Sequence, residues 1–126
     1  MKLKHLLIIN TVVCAVYGIP LLLLPATMLS LHGVAQDPGT RLMAQYFGSA
    51  LIAIGLLTWL ARDVTDSEAQ GAIILALLIA NVIGIVISVL GTVSGPMNAL
   101  GWLGAAVYAL LALGYAYFQF LKPGAS

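Results

Sequence analysis

The sequence predicts an all-α integral membrane protein, a four-helix bundle with a short outer-surface helix between spans one and two. Hydrophobic residues make up 62% of the 126 residues and charged residues only 7%, whereas a soluble domain carries about 25% charge. All nine charged side chains lie between or outside four long apolar stretches. Each stretch has close to the roughly 20 residues that a helix needs to cross a bilayer. We therefore expect one domain over residues 1–126, with spans at about 6–24, 42–61, 72–90 and 98–121.

The first apolar stretch is expected to stay in the protein as span one. Lys2 and Lys4 precede it, as in a signal peptide, but it passes through Pro20 into a second leucine-rich block. A signal peptide has an apolar core of about 7–15 residues that ends at a small-residue cleavage site. This stretch is longer and lacks such a site.

The connection between spans one and two predicts a short helix. Pro25 suits the first turn of a helix that runs through Leu31, and Gly33 suits its end. The leucines of this segment favour a helix that lies on the outer surface rather than crossing the membrane. Asp37 is then predicted to cap span two, with Arg41 in its first turn.

The later connections carry start and stop signals of their own. Thr65 and Glu68 match a capping box, so span three is expected to begin before its apolar stretch. The sequence from Gly91 to Pro96 cannot easily remain helical. Asn98 is therefore predicted to start span four.

The basic residues predict the orientation in the membrane, because cytoplasmic loops carry an excess of Lys and Arg. Four spans put both termini and the connection between spans two and three on one side. That side collects Lys2, Lys4, Arg62 and Lys122, whereas the other has Arg41 alone. We expect both termini to be cytoplasmic, and a bacterial inner membrane is the expected location.

Small residues predict how the helices pack. Ala76, Ala80, Gly84 and Ser88 recur every four residues in span three. Such a stripe lets a neighbouring helix approach closely. A faint internal repeat points the same way, since residues 48–54 of span two resemble residues 104–110 of span four. A two-plus-two arrangement related by a parallel repeat would explain that likeness.

Candidate catalytic and metal-binding groups are sparse. The four carboxylates, of Asp37, Asp63, Asp66 and Glu68, lie in connections, so none is expected at the membrane depth that ion-coupled transport uses. His5 and His32 are expected on opposite sides of the membrane, where they cannot share a metal. We expect neither a catalytic site nor a metal site, and no cofactor is required. The net charge of +1 gives no basis for nucleic-acid binding.

Uncharged polar residues within the spans leave two interpretations open. Asn10, Gln45 and Asn81 can hydrogen-bond between helices. Alternatively, these three residues and Trp102 converge on a small polar pocket in a mostly apolar cavity.

The order of these features resembles the small four-span bacterial membrane proteins of the DoxX-like group. The resemblance runs over nearly the whole chain. It rests on an Asn in span one, Gly18 and the exit from Pro20 to Pro25, Arg41, the stretch from Gly48 to Gly55, and Asn98 followed by Gly101-Trp102. It implies a four-helix fold and a link to membrane redox complexes, including those of quinone-linked oxidation. The partners of this chain would then be electron-transfer proteins.

The sequence favours a non-catalytic membrane protein that acts by binding. The leading expectation is a small accessory or stabilising subunit of a larger membrane complex, for instance a redox or energy-transducing one. The alternative is a binding or carrier protein for a lipophilic small molecule such as a quinone, carotenoid or lipid. Expected partners are membrane lipids and other membrane subunits or a second copy of the chain.

Overall fold

The computed structural model describes residues 2–35, 37–95 and 98–121, and this part of the chain is helical without strands. Four helices are long and apolar enough to cross a membrane, which confirms the predicted four-helix membrane fold. A short helix, α2, follows the first of them, and the last continues as a π-helical turn at Tyr117–Leu121. The helices are α1 (Leu3–Leu23), α2 (Pro25–Leu31), α3 (Pro38–Ala61), α4 (Ser67–Val93) and α5 (Leu100–Ala116).

Local signals in the connection after α1 act as predicted. Pro25 occupies the first turn of α2, and Gly33 follows that helix with a φ of 69°. Glycine adopts such a φ readily, because it has no Cβ to clash with the backbone. Asp37 caps α3, because its Oδ1 accepts a hydrogen bond from the Thr40 N–H at 2.8 Å.

The predicted cap of α4 is wrong by one residue. The helix does begin in the loop, ahead of its apolar stretch, but Asp66 rather than Thr65 is the cap. The Asp66 carboxylate accepts the Ala69 N–H at 2.9 Å. Thr and Asp both cap well, and the sequence offers the two in adjacent positions. At its other end α4 runs to Val93; Pro96 lies outside the described residues.

One end of the bundle holds the start of α1, the connection between α3 and α4, and the end of α5. The Lys4 ammonium pairs with the Asp63 carboxylate there at 3.2 Å, and Arg62 lies over the Trp59 ring at 3.7 Å. This end of the bundle is the inner end. Lys122, one of the basic residues that predict the orientation, lies outside the described residues.

The spans form two pairs, since α1 packs mainly against α3 and α4 mainly against α5. In the first pair Gly18 and Gly48 bring the two backbones together. A Cβ at Gly48 would lie 2.8 Å from both the Gly18 carbonyl oxygen and the Leu22 nitrogen.

The second pair uses its small residues in a similar way. A Cβ at Gly84 would lie 2.5 Å from the Tyr108 ring, and one at Gly104 would lie 3.5 Å from the Ser88 hydroxyl. Gly48 and Gly104, which occupy equivalent places in the internal repeat, therefore both face the preceding spanning helix. Two similar pairs are what a two-plus-two repeat predicts.

Candidate functional site

A cavity of about 670 Å³ separates the two helix pairs. Every helix contributes to its walls, which are mostly aliphatic and aromatic. Along α3 the lining extends from Thr40 to Ile54, which is about 21 Å at about 1.5 Å per residue. Small-molecule sites have volumes of about 300–1,000 Å³ and mainly apolar walls with a few polar groups. This cavity has both properties.

The cavity opens sideways between α3 and α4. Met43 and Phe47 on α3, and Ile83 and Ile87 on α4, line it and are also exposed on the outer surface of the bundle. In a bilayer this surface meets lipid tails. A hydrophobic molecule could therefore enter from the membrane without crossing water.

A hydrophobic cluster closes the cavity toward the inner end. Leu6 and Leu7 of α1 meet Leu77 of α4 and the fully buried Tyr115 of α5. Asn10 joins the pairs here, since its Nδ2 donates to the Tyr115 hydroxyl at 2.6 Å. The Cys14 thiol donates to the Asn10 Oδ1 at 3.2 Å.

At the opposite, outer end, α2 and the residues after it are tied to the start of α5. The Asn98 Nδ2 donates to the Leu31 carbonyl at 3.0 Å, and the Asn98 N–H donates to the His32 carbonyl at 2.8 Å. The Asn98 Oδ1 accepts the Leu100 N–H at 3.0 Å. Leu100 is the first residue of α5 and Ala99 precedes it, so span four begins two residues after the predicted Asn98. The two pairs are therefore joined at both ends, with the cavity between the joints.

The polar groups in the walls are neutral amides and hydroxyls, apart from one histidine. None of the described lining residues is Asp, Glu, Lys or Arg. The His32 Nδ1 lies 2.9 Å from the Met28 carbonyl oxygen; because a carbonyl only accepts, Nδ1 carries a proton. The polar lining residues are Asn10, Tyr17, His32, Thr40, Asn81, Ser88 and Tyr108.

The structure brings two of the four predicted pocket residues into the cavity wall. Asn10 and Asn81 line it, with 3% and 5% of their surface exposed. Gln45 lies outside the wall, exposed, and its Nε2 donates to the Leu22 carbonyl at 3.2 Å. Trp102 is half exposed and also lies outside it.

The predicted packing stripe of α4 is divided between two environments. Gly84 and Ser88 are buried against α5, whereas Ala76 and Ala80 are exposed, and Ala80 lines the cavity. Four residues turn a helix by about 400°, so each step of the stripe rotates about 40°. Over the three steps from Ser88 back to Ala76, the stripe therefore turns from the face of α4 that contacts α5 to the face beside the opening between α3 and α4.

Sequence reasoning missed five polar groups of the cavity, those of Tyr17, His32, Thr40, Ser88 and Tyr108. Tyr108 lies four residues after Gly104, and its ring packs on Gly84. The sequence signal for this contact was a glycine in one helix that leaves space for an aromatic ring of the next helix. Ser88 was assigned to packing alone. Ser88 lines the cavity only because of the way α4 is rotated about its own axis. The sequence does not reveal this rotation, since α4 has apolar residues on all of its faces.

The described residues include no group of three or more His, Cys, Asp and Glu side chains close enough to hold a metal ion. His5 lies in the first turn of α1, at the inner end, and His32 follows α2 at the outer end. Cys14 is buried and unpaired with another cysteine.

The chain matches no family model, no curated protein and no solved structure. The resemblance to DoxX-like proteins stays a prediction.

Proposed function

We propose that this chain is a membrane protein that binds a lipophilic small molecule, such as a quinone, a carotenoid or a lipid, between its helix pairs. The observation that carries the proposal is the cavity of about 670 Å³. Tightly packed membrane helices bring small residues into contact, as they do within each pair. Between the pairs the side chains leave space of a size and polarity suited to a ligand.

The ligand enters and leaves through the opening between α3 and α4. The exposed apolar side chains at this opening support that path, because they present a hydrocarbon-like surface to the bilayer. The proposed role is non-catalytic.

The protein is proposed to lie in a bacterial inner membrane with its inner end in the cytoplasm. Lys2, Lys4 and Arg62 support this orientation, because they share the inner end, and Arg41 lies at the other end. Cytoplasmic flanks carry such an excess of basic residues.

The test is to purify the chain from its native membrane in mild detergent and to quantify lipophilic molecules that remain bound. Ala80→Phe puts a large ring into the wall beside the opening and is expected to reduce bound lipophile at least about tenfold. Ala76→Phe, one turn away on α4, is a matched control because Ala76 is exposed but does not line the cavity. Equal loss in both variants, or none bound to the wild type, would contradict the proposal.

A second candidate function is the accessory or stabilising subunit of a larger membrane complex, as the DoxX-like resemblance implies. The observation that favours it is the exposure of Ala76 and Ala80, since two small residues four apart let a partner helix approach closely. Native gel separation after mild extraction tests it. Co-migration of a partner, lost in Ala76→Phe, would support this function; migration of the wild type alone would count against it.

A further inference from the structure

Asn81 has an acceptor that the protein leaves unmatched. Its side chain lies near the middle of α4, is 5% exposed and lines the cavity. Its Nδ2 donates to the Leu77 carbonyl at 2.7 Å. Because a carbonyl oxygen only accepts, the side-chain nitrogen of Asn81 must face it. The side-chain oxygen, Oδ1, therefore points away from the Leu77 carbonyl. Oδ1 accepts no hydrogen bond from any described residue, and such an acceptor is costly in an apolar interior.

Two hydroxyls accompany Asn81 on the same side of α4. Ser88, 6% exposed, lines the cavity. Tyr108 reaches this face because Gly84, between Asn81 and Ser88, has no side chain in the way of its ring. Residues three and four apart share a helix face. Within the described chain neither hydroxyl has a hydrogen-bond partner.

These groups define the chemistry of a ligand. An amide oxygen only accepts, so it requires a hydroxyl or N–H donor. The described wall has no fixed charge, and burying an unpaired ion would be far more costly than burying a neutral polar group. The cavity is long and mostly apolar. A neutral, elongated lipophile with a donor group fits it, and a phospholipid with a charged headgroup does not.

We propose that the cavity binds a neutral lipophile whose hydroxyl or N–H group donates a hydrogen bond to the Oδ1 of Asn81. This inference rests on the proposed function and specifies the ligand class of the same site. The hydrocarbon part of the ligand fills the cavity between Asn81 and the outer end. Ser88 and Tyr108 offer further hydrogen bonds beside the donor.

The test compares tritiated 1-hexadecanol with tritiated hexadecyl methyl ether, in which a methyl group replaces the hydroxyl hydrogen and removes the donor. Binding is measured to the full chain in phosphatidylcholine nanodiscs, after subtraction of empty nanodiscs. The wild type is expected to bind the alcohol about fivefold more tightly, as one hydrogen bond predicts. Asn81→Leu should abolish this preference. Gln45→Leu, the same substitution at an amide outside the cavity, should retain it.

The outcomes separate this inference from the proposed function. Equal binding of the two probes to the wild type, or a preference that survives in Asn81→Leu, would overturn the assignment of Asn81 and leave lipophile binding intact. If neither probe binds saturably, the inference and the proposed function fail together. Should Asn81→Leu not fold, Asn81→Ala replaces it, and the wild-type comparison stands on its own.

Discussion

Individual glycines set how closely helices approach within each pair. Gly48 of α3 lies against backbone atoms of Gly18 and Leu22, which cannot move aside as a flexible side chain would. Gly48→Ala should therefore lower the free energy of unfolding by about 1–3 kcal/mol, the usual cost of overpacking. Unfolding in mixed detergent micelles measures it.

Gly71 is the matched control for that substitution. It lies in α4, and a Cβ there would meet nothing within 4 Å. Gly71→Ala should raise the free energy of unfolding by about 0.5–1 kcal/mol, because alanine favours a helix over glycine. Equal effects of the two substitutions would show that the contact at Gly48 is not as described.

The hydrogen bond between Asn10 and Tyr115 joins the two pairs at a buried position. Asn10→Leu and Tyr115→Phe each leave one partner unmatched, and each should cost about 1–2 kcal/mol. The double variant leaves neither partner unmatched. Its cost should be smaller than the sum by about 0.5–2 kcal/mol, as a double-mutant cycle of unfolding free energies measures.

Tyr117→Phe is a control for removal of a tyrosine hydroxyl, because Tyr117 is 44% exposed. It should change the unfolding free energy by less than about 0.5 kcal/mol. Strict additivity of Asn10→Leu and Tyr115→Phe would mean that the pairs are not joined through this bond.

At the scale of elements, Asn98 has two separable roles. Its Nδ2 donates to Leu31, the last residue of α2, and its Oδ1 accepts the Leu100 N–H, the first of α5. Asn98→Ala removes both bonds, so backbone amides of residues 32–34 and the first turn of α5 should exchange hydrogen faster, by about tenfold. Hydrogen exchange with mass spectrometry measures both segments.

Asn98→Asp separates the roles, because a carboxylate can accept the Leu100 N–H but cannot donate to the Leu31 carbonyl. It should speed exchange in residues 32–34 and spare the start of α5. Unchanged exchange of residues 32–34 in both variants would refute the bridge.

The Asp37 cap predicts a pH dependence. Hydrogen bonds from the Thr40 backbone N–H and hydroxyl, followed by smaller contributions from Gly39 and Arg41, hold the pKa of Asp37 below its usual 3.8. Because this pKa is lower in the folded chain, the charged cap stabilises α3 above the usual value. That stabilisation is lost as the pH falls through the lowered value.

Asp37→Ala should therefore melt below the wild type at neutral pH, and the difference should shrink in acid below pH 3.8. Melting temperatures in detergent across this range measure it. Asp37→Asn keeps a capping oxygen that does not titrate, so its melting should lack this acid-dependent change. A difference between wild type and Asp37→Ala that is constant with pH would contradict the role of the charge.

The sequence predicts the bounds and caps of helices, because their signals lie in adjacent residues. It does not predict which side chains face the cavity, because contacts with neighbouring helices set the rotation of each helix. The bounds of α2 and the Asp37 cap follow from a few adjacent residues. The position of Gln45 does not, because α3 is apolar on several faces and its rotation is set where Gly48 meets Gly18. With Ala44 and Gly48 turned toward α1, Gln45 is exposed. Trp102 is likewise turned outward by the burial of Gly101 and Ala105.

At the scale of the whole molecule, two tightly packed helix pairs are joined at the inner and outer ends. Between these two ends the cavity separates the pairs. The inner joint contains Asn10 and Tyr115, and the outer joint contains Asn98. Composition and span length predict the four helices and their location in a membrane. They do not predict the cavity, because it depends on which side chains of the two pairs meet.

The most direct test of the account is the mass of the intact chain, measured by native mass spectrometry after release from its native membrane in mild detergent. We predict a species heavier than the polypeptide by one neutral lipophile of defined mass, which dissociates on collisional activation. A spectrum with the mass of the polypeptide alone, under conditions that preserve other membrane protein–lipid complexes, would contradict the account.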